Sequence, residues 1–325
     1  MRAVQQLRLT GPEGTEVVDL PDPVVSASDV LVRVKAGALN FPDVLLSHGK
    51  YQFKPPPPFT LGGEFAGVVE RVGEKVRGWK PGDRVAGTMM HGAFAELVVA
   101  MPEMLVPIPE GISFETASAT LLTHLTTLHA LVDRANLQKG ESLLVLGAAG
   151  GVGTAAISLG KMLGARVIAA ASSEEKLALC KRLGADETVQ YTKEDLKERV
   201  KALTGGNGVD VVYDAVGGAH AEQALRAIAW EGRYLVVGFA SGEIPKIPLN
   251  LTLLKGCQIM GVFWGSFAMR EPVRNRANAD RVFAEIAEGR IKPEIDAVMP
   301  AAEARAALTR MENRDVKGKL VLSFE

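Results

Sequence analysis

The sequence predicts an α/β fold in which a doubly wound parallel sheet is joined to a β-rich domain. Three observations predict it. Up to about Ala119 the apolar residues recur with period 2, as in strands with one buried face. From about Thr120 short, near-continuous apolar runs alternate with helical patterns, as strands covered on both faces of a parallel sheet do. Directly after the first of those runs comes a glycine-rich stretch opening a helical one.

In chain order, "DVLVRVKAGALN", "FAGVVERVG" and "FAELVVA" supply the alternating strands, with turn signals at "KPGDR" (80–84) and "PEG" (109–111). "KPPPPF" (54–59) cannot donate ladder hydrogen bonds and reads as an extended connection. "ATLLTHLTTLHALVDRA" is helical by its apolar spacing and "SLLVLG" is a short buried strand. "ARVIAAA", a helix over 174–183, "ETVQY", a helix over 194–203, "VDVVYDAVG", a helix over 219–229, "GRYLVVGF" and a last strand "GCQIMGVFWG" follow. Counted from Leu143 this makes six strands, the number of a doubly wound dinucleotide-binding sheet. The tail predicts a helix at roughly 278–288 and a final strand, "GKLVLSF", returning to the first domain. The expected division is 1–119 with 264–325, and 120–263.

Composition excludes several classes. The 325 residues are 47% apolar and 23% charged, which suits one large or two ordinary globular domains. With 37 basic and 38 acidic residues nothing steers the chain toward nucleic acid or an anionic membrane. No run is long enough to span a bilayer, and "MRAVQQLRLTG" lacks a signal-peptide apolar core. Two distant cysteines, Cys180 and Cys257, make neither a disulfide framework nor a thiolate zinc site, so a cytoplasmic protein is expected. The five histidines have no metal-like spacing, and no metal is expected; only His48, near Tyr51, merits a test.

The glycine-rich stretch, "LLVLGAAGGVGTAAISLGK", fits G-x-G-x-x-A at Gly151, Gly153 and Ala156. Its loop, Ala149, Gly150, Gly151, Val152 and Gly153, lets the backbone approach a pyrophosphate, which the helix N-terminus then receives. The strand before and the strand on schedule after it raise the match above a chance glycine turn and predict a Rossmann domain. NAD binders place an acid at the end of the second strand. Here that strand ends "AAASS", and Glu174 and Glu175 read as first-turn helix acids in a capping box with Ser172 as N-cap and Glu175 three residues on. An acid-free strand end with Ser172, Ser173 and Lys176 as donors accepts a 2′-phosphate, which favours NADPH over NADH.

"GALNFPDV", "PFTLGGEFAGVVERVG", "KPGDRVAG", "GAAGGVGTAAISLGK" and "GFASGEIPKIPLNLTLLKG" together resemble the zinc-independent quinone oxidoreductases of the medium-chain dehydrogenase/reductase superfamily, over essentially the whole chain. The resemblance implies a GroES-like catalytic domain, a Rossmann cofactor domain, an active site in the cleft between them, NADPH as cofactor and a homodimer. Zinc-using members carry Cys-His-x-Asp where this chain has Asn40-Phe41-Pro42-Asp43, and Gly-His-Glu where it has Gly62-Gly63-Glu64. Two zinc ligands are thereby replaced, and Glu64 is left to be held by hydrogen bonds or a nearby cation. Without a Lewis acid, oxidation of simple alcohols becomes difficult, whereas quinones and α,β-unsaturated carbonyls still accept hydride.

By the same resemblance Asn40 points at the substrate and polarises or orients it; as a residue in a turn it would do neither. Tyr51 lines the substrate pocket and could donate a proton, although solvent is an equal source for a phenol with a pKa near ~10. Thr123 and Thr126 match threonines beside the nicotinamide, with Leu121 standing where the family has proline; lone helix threonines otherwise bond back to the preceding turn. Tyr191 matches a tyrosine at the adenosine phosphate end, or is an ordinary strand-end aromatic. Phe239, Ser241 and Asn250 belong to a loop near the nicotinamide, and Phe263, Trp264 and Gly265 to the strand end beside it. Lys317 and Lys319 could reach a 2′-phosphate, surface solvation being the more ordinary fate for at least one of them. Quinone reduction leads, with an enoyl-thioester or alkenal double-bond reductase and a low-turnover NADPH-binding protein as alternatives.

Overall fold

The computed structural model describes residues 1–324 and divides into two compact units, 1–122 with 271–289 and 293–325, and 123–270 with 290–292.

The first unit is built on strands β1 (Arg2–Gln6), β2 (Thr15–Asp19), β3 (Val30–Ala38), β4 (Phe59–Thr60), β5 (Glu64–Val72), β6 (Arg84–Thr88), β7 (Leu97–Ala100) and β8 (Leu105–Pro107). Helices α1 (Phe41–Ser47) and α2 (Phe114–Ser118) belong to it, and α3 (Leu121–Leu128) begins there. From Val32 the burial of β3 alternates with its sequence, Val32 and Val34 being buried while Arg33 is exposed, and Val30 and Leu31 before them are both buried. The tail adds α10 (Pro272–Ala287), β15 (Ile295–Pro300), α11 (Ala304–Glu312) and β16 (Lys319–Ser323), after α4 to α9 and β9 to β14 of the second unit, given below. The larger sheet runs β15-β16-β3-β5-β6-β8, with β7 also on β3, and a smaller one runs β2-β1-β4. Strand β16 is antiparallel to β3, Val321 opposite Ala38, which carries the last residues of the chain to the start of α1. Helix α10 starts at Pro272 rather than near 278, because proline at the first helical position needs no hydrogen-bonded N–H.

The second unit carries β9 (Ser142–Leu146), α4 (Gly151–Met162), β10 (Arg166–Ala171), α5 (Glu174–Arg182), β11 (Glu187–Gln190), α6 (Leu196–Leu203), β12 (Val209–Asp214), α7 (Ala219–Arg226), β13 (Ile228–Val236), α8 (Asn250–Lys255), β14 (Gln258–Gly261) and α9 (Trp264–Arg270). Its sheet order is β11-β10-β9-β12-β13-β14 and every pairing is parallel, so its first to sixth strands run 3-2-1-4-5-6. Leu143, Leu144, Val145 and Leu146 are all fully buried, as a strand with helices on both faces requires.

The last strand is shorter than its apolar run. Strand β13 ends at Val236, opposite Gly261, so nothing remains to pair with Phe263, and Trp264 opens a helix instead. The helix expected over 219–229 likewise stops at Arg226, because β13 begins two residues later.

Candidate active site

In the first unit three polar side chains meet in the interior. Lys319, at the start of β16, is 3% exposed, and its Nζ donates to Glu64 Oε1 at 2.7 Å, Asn40 Oδ1 at 2.6 Å and the Leu39 carbonyl at 2.7 Å. All three of its protons are used. Asn40 Nδ2 donates to Glu64 Oε1 at 2.8 Å and to the Ala38 carbonyl at 3.2 Å. The Glu64 carboxylate, with no exposed surface, completes its set through Oε2, which accepts the Leu122 N–H at 2.8 Å. A buried ion pair persists only when its remaining donors and acceptors are matched in this way.

Local chemistry explains how these groups arrive. Asn40 is the N-cap of α1, and its own N–H donates to the Asp43 carboxylate at 2.7 Å. Gly62 has φ +102, and a Cβ there would sit 2.4 Å from the Phe94 ring, so this turn tolerates only glycine. Gly63 is different: its φ is ordinary, and an added Cβ meets nothing closer than Met89 O at 3.6 Å and Leu122 Cδ1 at 3.8 Å. The backbone therefore does not demand glycine at 63, and a Cβ there would make only ordinary van der Waals contacts.

The expectation that Lys319 would be a solvated or phosphate-binding lysine is corrected: its ammonium is the cation that holds Glu64. The pair is 255 residues apart in sequence, and no local pattern could have joined them. Lys317 also lies in the first unit, just before β16, with its N–H 3.4 Å from Asp296 Oδ2.

Asp43 carries a titration of its own. Burial pushes its carboxyl up to about 7, against the lowering by the Asn40 N–H and the Lys319 charge. The unfolded carboxyl titrates near 3.8. Between those values the folded chain binds a proton that the unfolded chain has released, so stability falls as pH rises from about 4 to about 7. The slope from this one group reaches about 1.4 kcal/mol per pH unit. Thermal unfolding of Asp43→Asn, compared with the parent across that window, is expected to lack this component; parallel curves would show that Asp43 stays ionised.

Tyr51 is half-buried against the core of the first unit, and burial together with the nearby Asp43 charge pushes its phenol up. That makes it a weaker acid than a free phenol. His48 Nε2 lies 2.5 Å from Glu312 Oε1, which engages the one histidine singled out for a test.

In the second unit the parallel sheet gathers the remaining candidates. All six strands point the same way, so every connection leaving a carboxyl end lies on one edge, where open α/β sheets bind ligands. Gly147 to Gly150 follow β9, and Gly150 is the N-cap of α4, which puts Ala149, Gly151, Val152 and Gly153 at that helix's start. A Cβ on Gly153 would lie 2.3 Å from the Gly147 carbonyl oxygen, so the tight strand-to-helix turn requires glycine there. The first turn of α4 holds no acid to oppose a bound phosphate.

At the next strand end Ala171 closes β10 and no carboxylate occupies the position. Ser173, not Ser172, is the N-cap of α5, its hydroxyl accepting the Lys176 N–H at 3.3 Å. Glu174 and Glu175 are exposed in the first turn. Tyr191 follows β11, its ring 4.3 Å from that of His220. After β13 the chain folds back along the end of β12: Ala240 and Ser241 donate their N–H groups to Ala215 and Val216, with Phe239 beside them. Phe263, 62% exposed, and Gly265 flank the buried Trp264, which begins α9 rather than ending a strand; Asn250 begins α8.

Thr123 and Thr126 are buried on α3. The Thr123 hydroxyl is 3.1 Å from His124 Nδ1, and its carbonyl accepts the Thr127 hydroxyl at 2.8 Å. Thr127 Oγ1 also lies 2.9 Å from the Tyr213 hydroxyl, and neither residue stood out in the sequence. Both cysteines are buried and free, and among the described residues no group of three or more His, Cys, Asp or Glu could hold a metal ion. No helix among them is long and apolar enough to cross a membrane.

Comparison with known proteins agrees with this architecture. A family described as an alcohol dehydrogenase GroES-like domain matches residues 26–110, and one described as a zinc-binding dehydrogenase matches 151–279. The quinone oxidoreductase of Pseudomonas aeruginosa is 39% identical over 323 residues, 99% of each chain. The structure of Escherichia coli quinone oxidoreductase complexed with NADPH superposes with a TM-score of 0.92 at 30% identity, covering 99% of this chain and 100% of that one. A structure described as an NAD-dependent alcohol dehydrogenase is equally similar in fold, with a TM-score of 0.91 at 35% identity over the whole of both chains. Likeness of fold therefore does not select the nucleotide.

Proposed function

This chain belongs to the quinone oxidoreductase family of the medium-chain dehydrogenase/reductases, an oxidoreductase of GroES-like and Rossmann domains, and we propose that it reduces quinones with NADPH and without zinc. The observation that carries the reading is the commitment of Glu64 and Asn40 to the Lys319 ammonium. Zinc-using members of the superfamily have their cysteine and histidine at the positions of Asn40 and Gly63, so here the positive charge beside Glu64 is an amine. A tetrahedral zinc site needs three or four N, S or O ligands, and this donor set does not supply them.

The pyrophosphate of NADPH would rest on residues 149–153, and its 2′-phosphate against Ser172, Ser173 and Lys176. When bound, the cofactor supplies a hydride. The protein supplies position and hydrogen bonds to the oxygen that gains charge. Asn40 is suited to this because its bond to the Ala38 carbonyl is its longest, 3.2 Å, and can be exchanged for an acceptor oxygen while Lys319 and Glu64 keep the amide oriented. Quinones need no stronger polarisation, since they take up hydride without a Lewis acid. The reading is tested by quinone-dependent oxidation of NADPH, which the purified protein is expected to catalyse after dialysis against a chelator.

A homodimer is part of the same reading. Strand β14 is an open edge of the six-stranded sheet, with Ile259 40% exposed. Beside it Trp230, Leu249, Leu253 and Leu254 are 66–80% exposed, an apolar patch suited to a second copy of this chain. Sedimentation should give twice the 34.6 kDa chain mass, and Leu253→Glu with Ile259→Lys should return it to one.

A further inference from the structure

The turn after β11 carries an exposed cation to the end of β10. Thr192 Oγ1 donates to the Ser172 carbonyl at 2.8 Å, and Gln190 Nε2 approaches the same oxygen at 3.4 Å. The turn itself is fixed: the Lys193 and Glu194 N–H groups both donate to the Gln190 carbonyl at 2.9 Å, and Glu194 Oε2 accepts the Gln190 N–H at 2.8 Å. Lys193 Nζ thereby lies 2.6 Å from Glu174 Oε1, at the first residue of α5 and next to the N-cap Ser173. The hydrogen bond to Lys193 holds the Glu174 carboxyl below its usual range.

We infer that Lys193 is a second cation of the 2′-phosphate subsite and sets NADPH over NADH selectivity, with Glu174 as the anion it leaves when the phosphate arrives. Its position carries the inference, because the turn that bears it is tied to Ser172 after the end of β10 and its amine reaches the first residue of α5, next to Ser173. The ion pair is 63% and 79% exposed, and pairs so exposed are weak, so a dianionic phosphate competes for Lys193 successfully. Glu174 also repels a phosphate at that place, and so tunes the same equilibrium in the opposite direction. This inference rests on the NADPH reading above and deepens it by naming residues that the glycine loop and the strand-end serines do not include.

The test is a set of dissociation constants for NADPH, NADH, 2′-phospho-AMP and AMP, measured by calorimetry or fluorescence on the parent, Lys193→Ala and Glu174→Gln. Both side chains are exposed, and circular dichroism checks that the variants fold as the parent does. Lys193→Ala should weaken NADPH and 2′-phospho-AMP roughly tenfold, the size of one charge-assisted contact, and leave NADH and AMP unchanged. Glu174→Gln should tighten the phosphorylated ligands alone. A parent that prefers NADPH while Lys193→Ala binds all four ligands as the parent does would overturn the role of Lys193 and leave the NADPH reading standing. A parent without preference for NADPH would overturn both.

Discussion

Replacing Lys319 by methionine is expected to lower the stability of the fold by about 3–5 kcal/mol, because it leaves a buried carboxylate without its counter-charge. Glu64 has no exposed surface, and on losing the ammonium it keeps only the Asn40 amide and the Leu122 N–H. The Leu39 carbonyl and Asn40 Oδ1 lose their donor as well. Methionine matches the length of the lysine stem, so the loss comes from charge and hydrogen bonds more than from volume. The second change that identifies the cause is Glu64→Gln: in the Lys319→Met background it removes the orphaned charge and is expected to restore part of the stability. Denaturant unfolding of the four proteins gives the coupling between the two positions. Strict additivity of the two substitutions would mean that the ion pair does not hold this region together.

Asn40→Ala is expected to reduce kcat for quinone reduction on the order of 100-fold, the scale of a lost hydrogen bond to developing negative charge, while the dissociation constant for NADPH changes little. Asn40 is in the first unit and the glycine loop, with the strand-end serines, is in the second, which is why binding and turnover should separate. Asn40→Asp is the informative companion. It keeps the size but sets a new carboxyl beside Glu64 in the buried cluster, where burial and the Glu64 charge favour its protonated, hydrogen-bond-donating form, so its activity should fall as pH rises. If Asn40→Ala left both kcat and NADPH affinity as they were, the amide would be only the helix cap and Lys319 acceptor that its contacts describe.

The sequence showed the second unit more fully than the first for a physical reason. The glycine-rich loop, its preceding strand and the acid-free end of β10 lie within about thirty residues, and each is set by local backbone requirements. Parallel strands also force their carboxyl ends onto one edge, so the strand order places Tyr191 and Phe239, which follow β11 and β13, without any knowledge of their contacts. Two details escaped because neighbouring residues are chemically alike. Ser172 and Ser173 can each cap α5, and only the geometry chooses Ser173. The apolar residues Val262, Phe263 and Trp264 continue the strand's pattern past the point where β13 can pair with it. In the first unit the vacancy at Gly63 was readable by likeness to zinc-using relatives, but its counterpart was not. Lys319 stands at the head of the final strand in a stretch that could equally be a solvated edge, and only the pairing of β16 with β3 brings it to Glu64.

Metal-free reduction of an activated acceptor is tested by acceptor-dependent oxidation of NADPH by chelator-treated protein. Metal content should be determined on the same sample, with a quinone, an α,β-unsaturated carbonyl and a simple ketone as acceptors. Expected are less than stoichiometric zinc, turnover with the quinone above that with the enone, no turnover with the ketone, and no gain when zinc is added back. Stoichiometric zinc whose removal abolishes activity, or ketone reduction that outpaces quinone reduction, would contradict metal-free reduction of an activated acceptor.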